Sequence, residues 1–480
     1  MNGFLSLNLW QVFNILLIVA VIFLERKRTS HTLAWVLILS LTSYFGFVLY
    51  LFFGLSFRKE KRLKSKDTNE IFRQFLIKRN KLLEDKDEHG ISEEYFELAH
   101  YHEYNSNALY YPSNKIDLFF DGNELFKNMK LSLKKAKKFI HMEYYIFRND
   151  NIGREIRDIL IEKAKEGVEV KIIYDGMGCI WLKRNFFKNL KRVDGEIEIF
   201  FPPFVPHFSI RANYRTHRKI IIVDGENAYM GGFNIGDEYL GKNKKIGYWR
   251  DSHIKIKGDV IDSLQVEFLL NWIFIRGSKK VIVDMELDRY FIDRGEQGNT
   301  GMQIVGSGPN YEHPYIKDGI LKMINTAKKS IYIQTPYYIP DDTIHDSLKL
   351  AILSGIEVCI MIPNKPDHLF VYWATLAHVG ELIEIGAKVY TYQNGFLHSK
   401  VLIIDDEIST LGTTNMDLRS FYFNFEINAF IYDKKIAIKL KEQYMEDIKR
   451  SNYITREVYK NRGNIIKIKE SISRLVSPIL

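Results

Sequence analysis

Two stretches constrain this chain more than any other feature: "THRKIIIVDGENAYMGGFN" at residues 216–234 and "LHSKVLIIDDEISTLGTTN" at residues 397–415. Each opens with a histidine and a lysine two residues apart, His217 and Lys219 in one and His398 and Lys400 in the other. An aspartate follows each lysine by five residues, Asp224 or Asp405, and an asparagine follows that aspartate by ten, Asn234 or Asn415. Side chains alternate between the faces of a strand. His217, Lys219, Ile221 and Val223 therefore share one face, while Ile220 and Ile222 fill the other. A strand apolar on both sides beyond its first residues belongs in the middle of a sheet. A single His-x-Lys at a strand mouth is usually a solvated polar edge; two at matching positions imply one composite site.

The repetition extends around the motifs. "KKAKKFIHMEYYIFRND" corresponds to "INTAKKSIYIQTPYYIPDD", and "EKAKEGVEVKIIYDG" to "LAILSGIEVCIMIPN". In both copies a helix runs into a β-rich stretch, and the next helix is stopped by a glycine, Gly167 or Gly355, that suits a C-terminal cap. An apolar strand follows. The chain reads as an α/β protein made by duplication of halves of roughly 180 residues.

The formal net charge is +9, but residues 58–66, "RKEKRLKSK", carry six basic side chains and one acid. That window is net +5, which leaves +4 for the other 471 residues and argues against a nucleic-acid surface. Two mainly apolar segments precede it, residues 3–24 and 32–55. Each is long enough to span a hydrocarbon core, which takes about 20 helical residues. The first carries Asn8, Gln11 and Asn14, which keeps a cleaved signal or an interfacial helix open as alternatives; no small-residue cleavage site follows it, which favours retention. Six Lys and Arg after the second segment, three in the connecting loop and none before the first place the catalytic part in the cytoplasm. The basic cluster is either a topology signal alone or also a contact for anionic headgroups. Two cysteines, Cys179 and Cys359, fit buried, reduced thiols rather than a disulfide or zinc framework. The domain reading is therefore two transmembrane helices over 1–57, a basic connector over 58–105, and two halves over 106–290 and 291–480.

The paired His-x-Lys-x4-Asp-x6-Gly-x2-Asn motifs resemble those of the phospholipase D superfamily, and both match in full. The surroundings "GGFNIGDEYL", "WRDSHIKIKGD", "PYYIPDD", "GFLHSKVLIIDD", "GTTNMDLRSFYFNFEINAFIYD" and the terminal "SPIL" are similar to bacterial cardiolipin synthases over essentially the whole chain. The resemblance implies two similar halves, each a mixed β-sheet flanked by helices, packed around one active site behind an N-terminal transmembrane hairpin. One departure stands out. The small hydroxyl residue common after the motif glycine is Gly232 in the first copy and Thr413 in the second.

Breaking a phosphodiester needs a nucleophile, an acid for the leaving alkoxide, and donors for the non-bridging oxygens. Two histidines can divide the first two tasks because imidazole titrates near neutrality. Lys219, Lys400, Asn234 and Asn415 supply donors for phosphate. The motif aspartates Asp224 and Asp405 belong to the family's catalytic set, yet each ends an apolar strand where a turn begins, which favours turn and salt-bridge roles. No metal and no cofactor is expected, since histidines and acids lie too far apart in sequence to suggest a ligand set. Family members place an acid downstream of each histidine to fix its tautomer. By that resemblance the candidates are Asp251, 34 residues after His217, and Glu426, 28 residues after His398, with pairing to Arg250 or Arg419 as the competing role.

The resemblance assigns His217 as nucleophile and His398 as general acid and base, although a near-symmetric duplication does not itself choose. It implies transfer of a phosphatidyl group from one phosphatidylglycerol to another, giving cardiolipin and glycerol, with membrane and phospholipid as partners, no nucleic acid, and an oligomeric state left open. A membrane-anchored phospholipase D-type hydrolase, a nuclease and a noncatalytic scaffold are the rivals. Two stretches bear on lipid access. "IFFPPFVPHFSI", residues 199–210, is either buried or a lipid entry surface. The C-terminal "NIIKIKESISRLVSPIL" forms a short amphipathic helix whose Ile468, Ile472, Leu475 and Val476 face the protein or the membrane, packing on the protein being favoured.

Overall fold

The computed structural model describes residues 9–24, 29–50, 91–202, 214–276, 287–365 and 367–477. The basic window 58–66, the connector up to residue 90 and most of the proline-rich stretch, from residue 203, lie outside the described residues.

The first half contributes β1 (Tyr111–Phe119), β2 (Phe139–Tyr144), β3 (Glu169–Asp175), β4 (Glu196–Phe200), β5 (Lys219–Val223), β6 (Asn227–Gly231) and β7 (His253–Lys257). The second contributes β8 (Thr300–Ser307), β9 (Ser330–Gln334), β10 (Glu357–Pro363), β11 (Lys388–Tyr392), β12 (Val401–Ile404), β13 (Ile408–Gly412), β14 (Asn424–Tyr432) and β15 (Ser451–Ile454). These strands join in the order β4-β3-β2-β5-β6-β7-β1-β8-β14-β13-β12-β9-β10-β11-β15. Read outward from the β1–β8 junction, the two halves give the same succession, and β15 is an addition at the far edge. β2, β3 and β4 run parallel, whereas β5, β6 and β7 are antiparallel to their neighbours, so each half is a mixed sheet. β1 pairs with β8 through its first residues and with β7 through its last, with an irregularity between Tyr111 and Asn114.

The helices are α1 (Leu9–Leu24), α2 (Thr29–Leu49), α3 (Glu93–Ser106), α4 (Gly122–Lys134), α5 (Asn151–Lys165), α6 (Ile261–Arg276), α7 (Tyr315–Thr326), α8 (Asp342–Leu353), α9 (Leu369–Ile385), α10 (Lys434–Ile448) and α11 (Asn464–Val476), besides shorter turns. As the glycine positions imply, α5 and α8 end just before Gly167 and Gly355, at φ +88° and +86°, a left-handed conformation cheap only for glycine.

Three apolar clusters define the layering. Ile140, Met142, Ile221 and Val223 pack under α4 and α5 on the outer face of the first sheet. Ile331, Ile333, Leu402 and Ile404 pack under α7, α8 and α9 on the outer face of the second. The inner faces of both sheets, including Ile220, Ile222, Ile403 and Leu411, share one cluster with α6 and α10. The two halves of the sheet share this inner layer, and Lys400 lies close enough to act on His217, and Lys219 on His398, so the two strand mouths meet. β5 is buried on both faces between β2 and β6, the central position its sequence implies.

The end of the connector is part of the folded body. α3 buries Tyr95, Leu98 and Ala99 against the second half, and Gln303 of β8 donates to the carbonyls of Ala99 and Ala108 at 2.9 and 2.8 Å. Cys179 and Cys359 are both free and buried.

The N-terminal helices pack on each other through Val21, Trp35 and Leu39. Asn14 donates to the Leu39 carbonyl at 3.0 Å, while its Oδ1 is buried without a hydrogen-bond partner among the described residues. Ser40 and Thr42 bond back to the carbonyls of Val36 and Ile38, both at 2.7 Å. Among the described residues no helix is long and apolar enough to cross a membrane; α1 has 16 residues against the roughly 20 that spanning takes.

α11 departs from the sequence expectation. It packs on α9, but Glu470 and Ser473 are the residues it buries, while Ile468, Ile472 and Leu475 are exposed. The apolar stripe faces away from the protein because the contact with α9 is made by charged and polar side chains, described below.

Candidate active site

The residues just before each histidine set its surroundings. Arg215–Thr216 pairs in parallel with Asn424–Phe425, and Phe396–Leu397 pairs in parallel with Trp249–Arg250. These two short bridges tie each motif to the opposite half, and each is extended by one bond: His217 N donates to Phe425 O at 2.9 Å and His398 N to Arg250 O at 2.7 Å. The next residue along each partner strand is an acid. His217 Nδ1 consequently lies 3.0 Å from both Oε1 and Oε2 of Glu426, and His398 Nδ1 lies 2.6 Å from Asp251 Oδ2.

This corrects the order implied by sequence distance. Asp251 serves His398 and Glu426 serves His217; each acid crosses to the histidine of the other half. Arg250 does not compete for either carboxylate, because its guanidinium goes to Asp447, with Nη2 2.8 Å from Oδ2.

All four groups are buried, and the charges follow from that. Burial pushes the His217 imidazole down to about 4 despite the pull of Glu426, with Lys219 and Lys400 adding to the shift. Burial and Lys400 push His398 down to about 4 as well, against Asp251. Burial by itself raises the carboxyls of Asp251 and Glu426, but the histidines and lysines outweigh it and hold both acids below their ordinary values. Each histidine is thus neutral at pH 7, with Nδ1–H toward a carboxylate and Nε2 left as the basic atom. Burial lowers Lys219 to about 7 and Lys400 to about 8, each against the acids nearby. Lys219 Nζ donates to His217 O at 2.5 Å, and Lys400 Nζ donates to His398 O in the same way.

The asparagines differ between halves. Asn234 accepts from Ile146 N at 3.1 Å and donates to the Tyr239 hydroxyl at 3.2 Å, so most of its amide is committed to the protein. Oδ1 of Asn415 is buried without a hydrogen-bond partner among the described residues.

Asp224 and Asp405 take no part in this constellation, which corrects their place in the catalytic set. They sit at the far end of β5 and β12, roughly 16 Å along the strand from the lysines. Asp224 accepts from Lys137 N, Lys138 N and Phe139 N at 2.8, 2.7 and 3.0 Å. Asp405 accepts from Lys328 N, Lys329 N and Ser330 N at 2.7, 2.8 and 2.7 Å. Each carboxylate clamps the start of the neighbouring strand.

The departure at Gly232 has a steric cause. A Cβ there would stand 1.8 Å from Asp251 Oδ1, so no other residue leaves the carboxylate in place. In the second half Thr413 is accommodated, but its hydroxyl bonds the backbone of Ile427, 2.9 Å from the amide nitrogen, rather than facing a ligand.

Several contributors carry no motif signal. Two residues before each acid, Trp249 Nε1 donates to Asp251 at 3.3 Å and Asn424 Nδ2 donates to Glu426 at 3.2 Å, a correspondence visible only once the acids are aligned. Tyr145 sets its ring 5.0 Å from that of His217, and Trp249 does the same for His398 at 5.0 Å. Arg218, between His217 and Lys219, binds Glu267 at 2.6 Å and the Glu426 carbonyl at 3.3 Å, bracing the acid that serves its own neighbour. Asp175, at the end of β3, is pushed up to about 6 by burial against the pull of Arg215 and three backbone amides. No group of three or more metal-ligating side chains is placed to hold an ion among the described residues.

Comparison with known proteins follows the same division. The family described as "Cardiolipin synthase, PLD-like domain" matches twice, over residues 129–272 and 320–448, and "Phospholipase_D-nuclease N-terminal" matches residues 12–54. The chain is 46% identical to the major cardiolipin synthase of Bacillus subtilis over 478 residues, covering 99% of this chain and 98% of the relative. It is 46% identical to a cardiolipin synthase of Oceanobacillus iheyensis, covering 99% of each. Among solved structures, the phosphatidylserine synthase of Haemophilus influenzae shares the fold, with a TM-score of 0.61 at 15% identity over 80% of this chain and 100% of that one.

Proposed function

Because the chain belongs to the family of cardiolipin synthases built on paired phospholipase D-like domains, we infer that its site divides the labour of phosphatidyl transfer between the two histidines. The protein is a phosphatidyltransferase that makes cardiolipin. The observation that carries the mechanism is the crossed pair of histidine–carboxylate contacts, which leaves two Nε2 atoms available at one mouth.

In the proposed reaction Nε2 of neutral His217 attacks the phosphorus of a phosphatidylglycerol. The P–N bond forms as the bond to the headgroup glycerol oxygen breaks. Glu426 accepts the hydrogen bond of the Nδ1–H and stabilises the positive charge that develops on the ring. His398 enters this step protonated, a state favoured when the anionic headgroup is bound, and gives its Nε2 proton to the departing glycerol. Neutral His398 then removes a proton from the headgroup hydroxyl of a second phosphatidylglycerol. That oxygen attacks phosphorus, the P–N bond breaks, and cardiolipin leaves with His217 restored and His398 again protonated. Lys219 and Lys400 neutralise the non-bridging oxygens, and the uncommitted N–H of Asn234 and the side-chain N–H of Asn415 donate hydrogen bonds to them.

The topology read from the sequence supports the setting for this chemistry: residues 1–57 form a membrane-spanning hairpin, 58–105 connect it to the body, and halves over 106–290 and 291–480 work at the cytoplasmic surface. The Ser40 and Thr42 hydroxyls bond back to carbonyls of their own helix, as a hydrocarbon environment demands. The enzyme needs no nucleic-acid partner. Incubation with phosphatidylglycerol vesicles and mass spectrometry of the lipids tests the reading: cardiolipin and glycerol are expected in equal amounts, and phosphatidic acid as the main product would make the enzyme a hydrolase.

A further inference from the structure

The C-terminal helix α11 is built inside out for a helix that only caps a domain. Its contact with the body is polar: Glu470 takes Arg462 at 2.7 Å, Lys469 sits 5.0 Å over the Trp373 ring, and Arg474 lies 2.8 Å from Glu381. Ile465, Ile468, Ile472 and Leu475 are spaced by three, four and three residues and so share one face. They are 71, 58, 51 and 61% exposed.

That stripe runs alongside a helix that leads to the active site. α9 starts with Leu369 and Phe370, both mostly exposed. Just before them Asp367 accepts a hydrogen bond from Tyr337 and lies close enough to act on the charge of Lys400. The first half repeats the arrangement. The turn after β3 presents Met177, Ile180 and Trp181, the last 82% exposed, and Cys179 of that turn packs on the backbone of Tyr145, whose ring faces His217. Exposed apolar side chains thus follow the third strand of each half, on both sides of one catalytic mouth. Basic residues surround them. Residues 176–192 hold Lys183, Arg184, Lys188, Lys191 and Arg192 with no acid, and α11 adds Lys467, its Lys469 and Arg474 being engaged with the body.

We propose that α11, the head of α9 and the turn at 177–181 form a docking face that seats the catalytic mouth on a bilayer rich in anionic phospholipid, with α11 lying in the plane of the interface. The proposal rests on the phospholipid chemistry assigned above and adds the surface through which the substrate is reached. Apolar side chains ringed by cations, with a tryptophan at the rim, match a headgroup boundary. A second copy of the chain would set the same cations against each other.

The test uses the full chain in phosphatidylglycerol nanodiscs. A nitroxide on an Ile472→Cys variant labels selectively, because burial raises the thiols of Cys179 and Cys359 out of the reactive range. The label is expected to collide with oxygen in preference to a water-soluble nickel complex, at a depth of about 5–10 Å below the headgroups. Preference for nickel overturns the proposal, and so does dipolar coupling between labels of two copies, which would assign the stripe to a dimer. The double variant Ile468→Ser/Ile472→Ser should turn over bilayer phosphatidylglycerol at least about fivefold more slowly while staying within about twofold on short-chain phosphatidylglycerol dispersed as monomers. Equal loss on both substrates makes the stripe structural and overturns docking. Parent enzyme that forms no cardiolipin from either substrate refutes the functional assignment instead, since the nitroxide depth is read without turnover.

Discussion

Nδ1 of His217 sits 3.0 Å from both carboxylate oxygens of Glu426, a residue 209 positions later and in the other half of the molecule. Asp251 makes the reciprocal contact with His398 across 147 positions. Duplication has therefore not produced two sites side by side. It has produced one site whose two histidines each depend on an acid delivered by the opposite repeat.

Glu426→Gln preserves shape and removes the charge that holds the His217 tautomer. Formation of the phosphohistidine should slow by about a hundredfold or more. Asp251→Asn should instead burden proton transfer to and from the glycerol oxygens, so the covalent intermediate still forms on His217 when the leaving group is made a good one. Rapid-quench trapping with labelled phosphatidylglycerol separates the two; a Glu426→Gln enzyme with the parent burst rate would remove the tautomer role.

The site should make the fold acid-labile. Both histidines have folded values near 4, below the ordinary 6.5. The unfolded chain therefore binds more protons between these limits, and stability falls as pH drops through that window, by roughly 3 kcal/mol per histidine at its lower end. Urea titrations from pH 7 to 4 should show this slope, and it should shrink in His217→Asn/His398→Asn.

Lys219 acts in the same direction in a more alkaline window. Its folded value near 7 lies below the ordinary 10.5, so stability contributed through this group rises as pH rises from 7 to 10.5. Lys219→Met is expected to unfold at higher urea concentration than the parent at pH 7 while losing most of its turnover. A destabilised Lys219→Met protein would show that the ammonium is held by more than it costs to bury.

Asp224→Ala and Asp405→Ala should cost stability rather than chemistry. Each removes a carboxylate that accepts from three backbone amides, worth about 3 kcal/mol or more. Turnover per folded molecule should stay within about threefold of the parent. A thousandfold loss in fully folded protein would return these residues to the catalytic set.

Gly232→Ser is expected to act through Asp251. The new Cβ has no room beside Oδ1, so the acid shifts and His398 loses its partner, with a fall in turnover of about a hundredfold. The nitrogen-15 chemical shifts of His398 report the tautomer directly, and unchanged shifts would count against this route.

The duplication and the two His-x-Lys pairs were legible in the sequence, because each is carried by local spacing that repeats; Asp251 and Glu426, at unequal distances of 34 and 28 residues, were reached only through the family resemblance. Their pairing was not. Distance along the chain favours the acid of the same copy, whereas the parallel bridges Arg215–Thr216 with Asn424–Phe425 and Trp249–Arg250 with Phe396–Leu397 are long-range contacts that no local pattern encodes. The inward polar side of α11 escaped for a related reason. Periodicity identifies an apolar stripe but not the direction it faces, and that was decided by Arg462 and Glu381 meeting Glu470 and Arg474. Arg218 was hidden in the variable position of its own motif.

The packing of α3 on β8 has a consequence in time. Ala99 and the Gln303 amide that binds its carbonyl are 204 residues apart. At translation speeds of about 5–20 residues per second, α3 leaves the ribosome on the order of ten to forty seconds before its partner strand exists. During that interval Tyr95, Leu98 and Ala99 stand uncovered beside the basic stretch that precedes them. The nascent chain thus carries an apolar segment awaiting its cover, and a chaperone has that long to hold it.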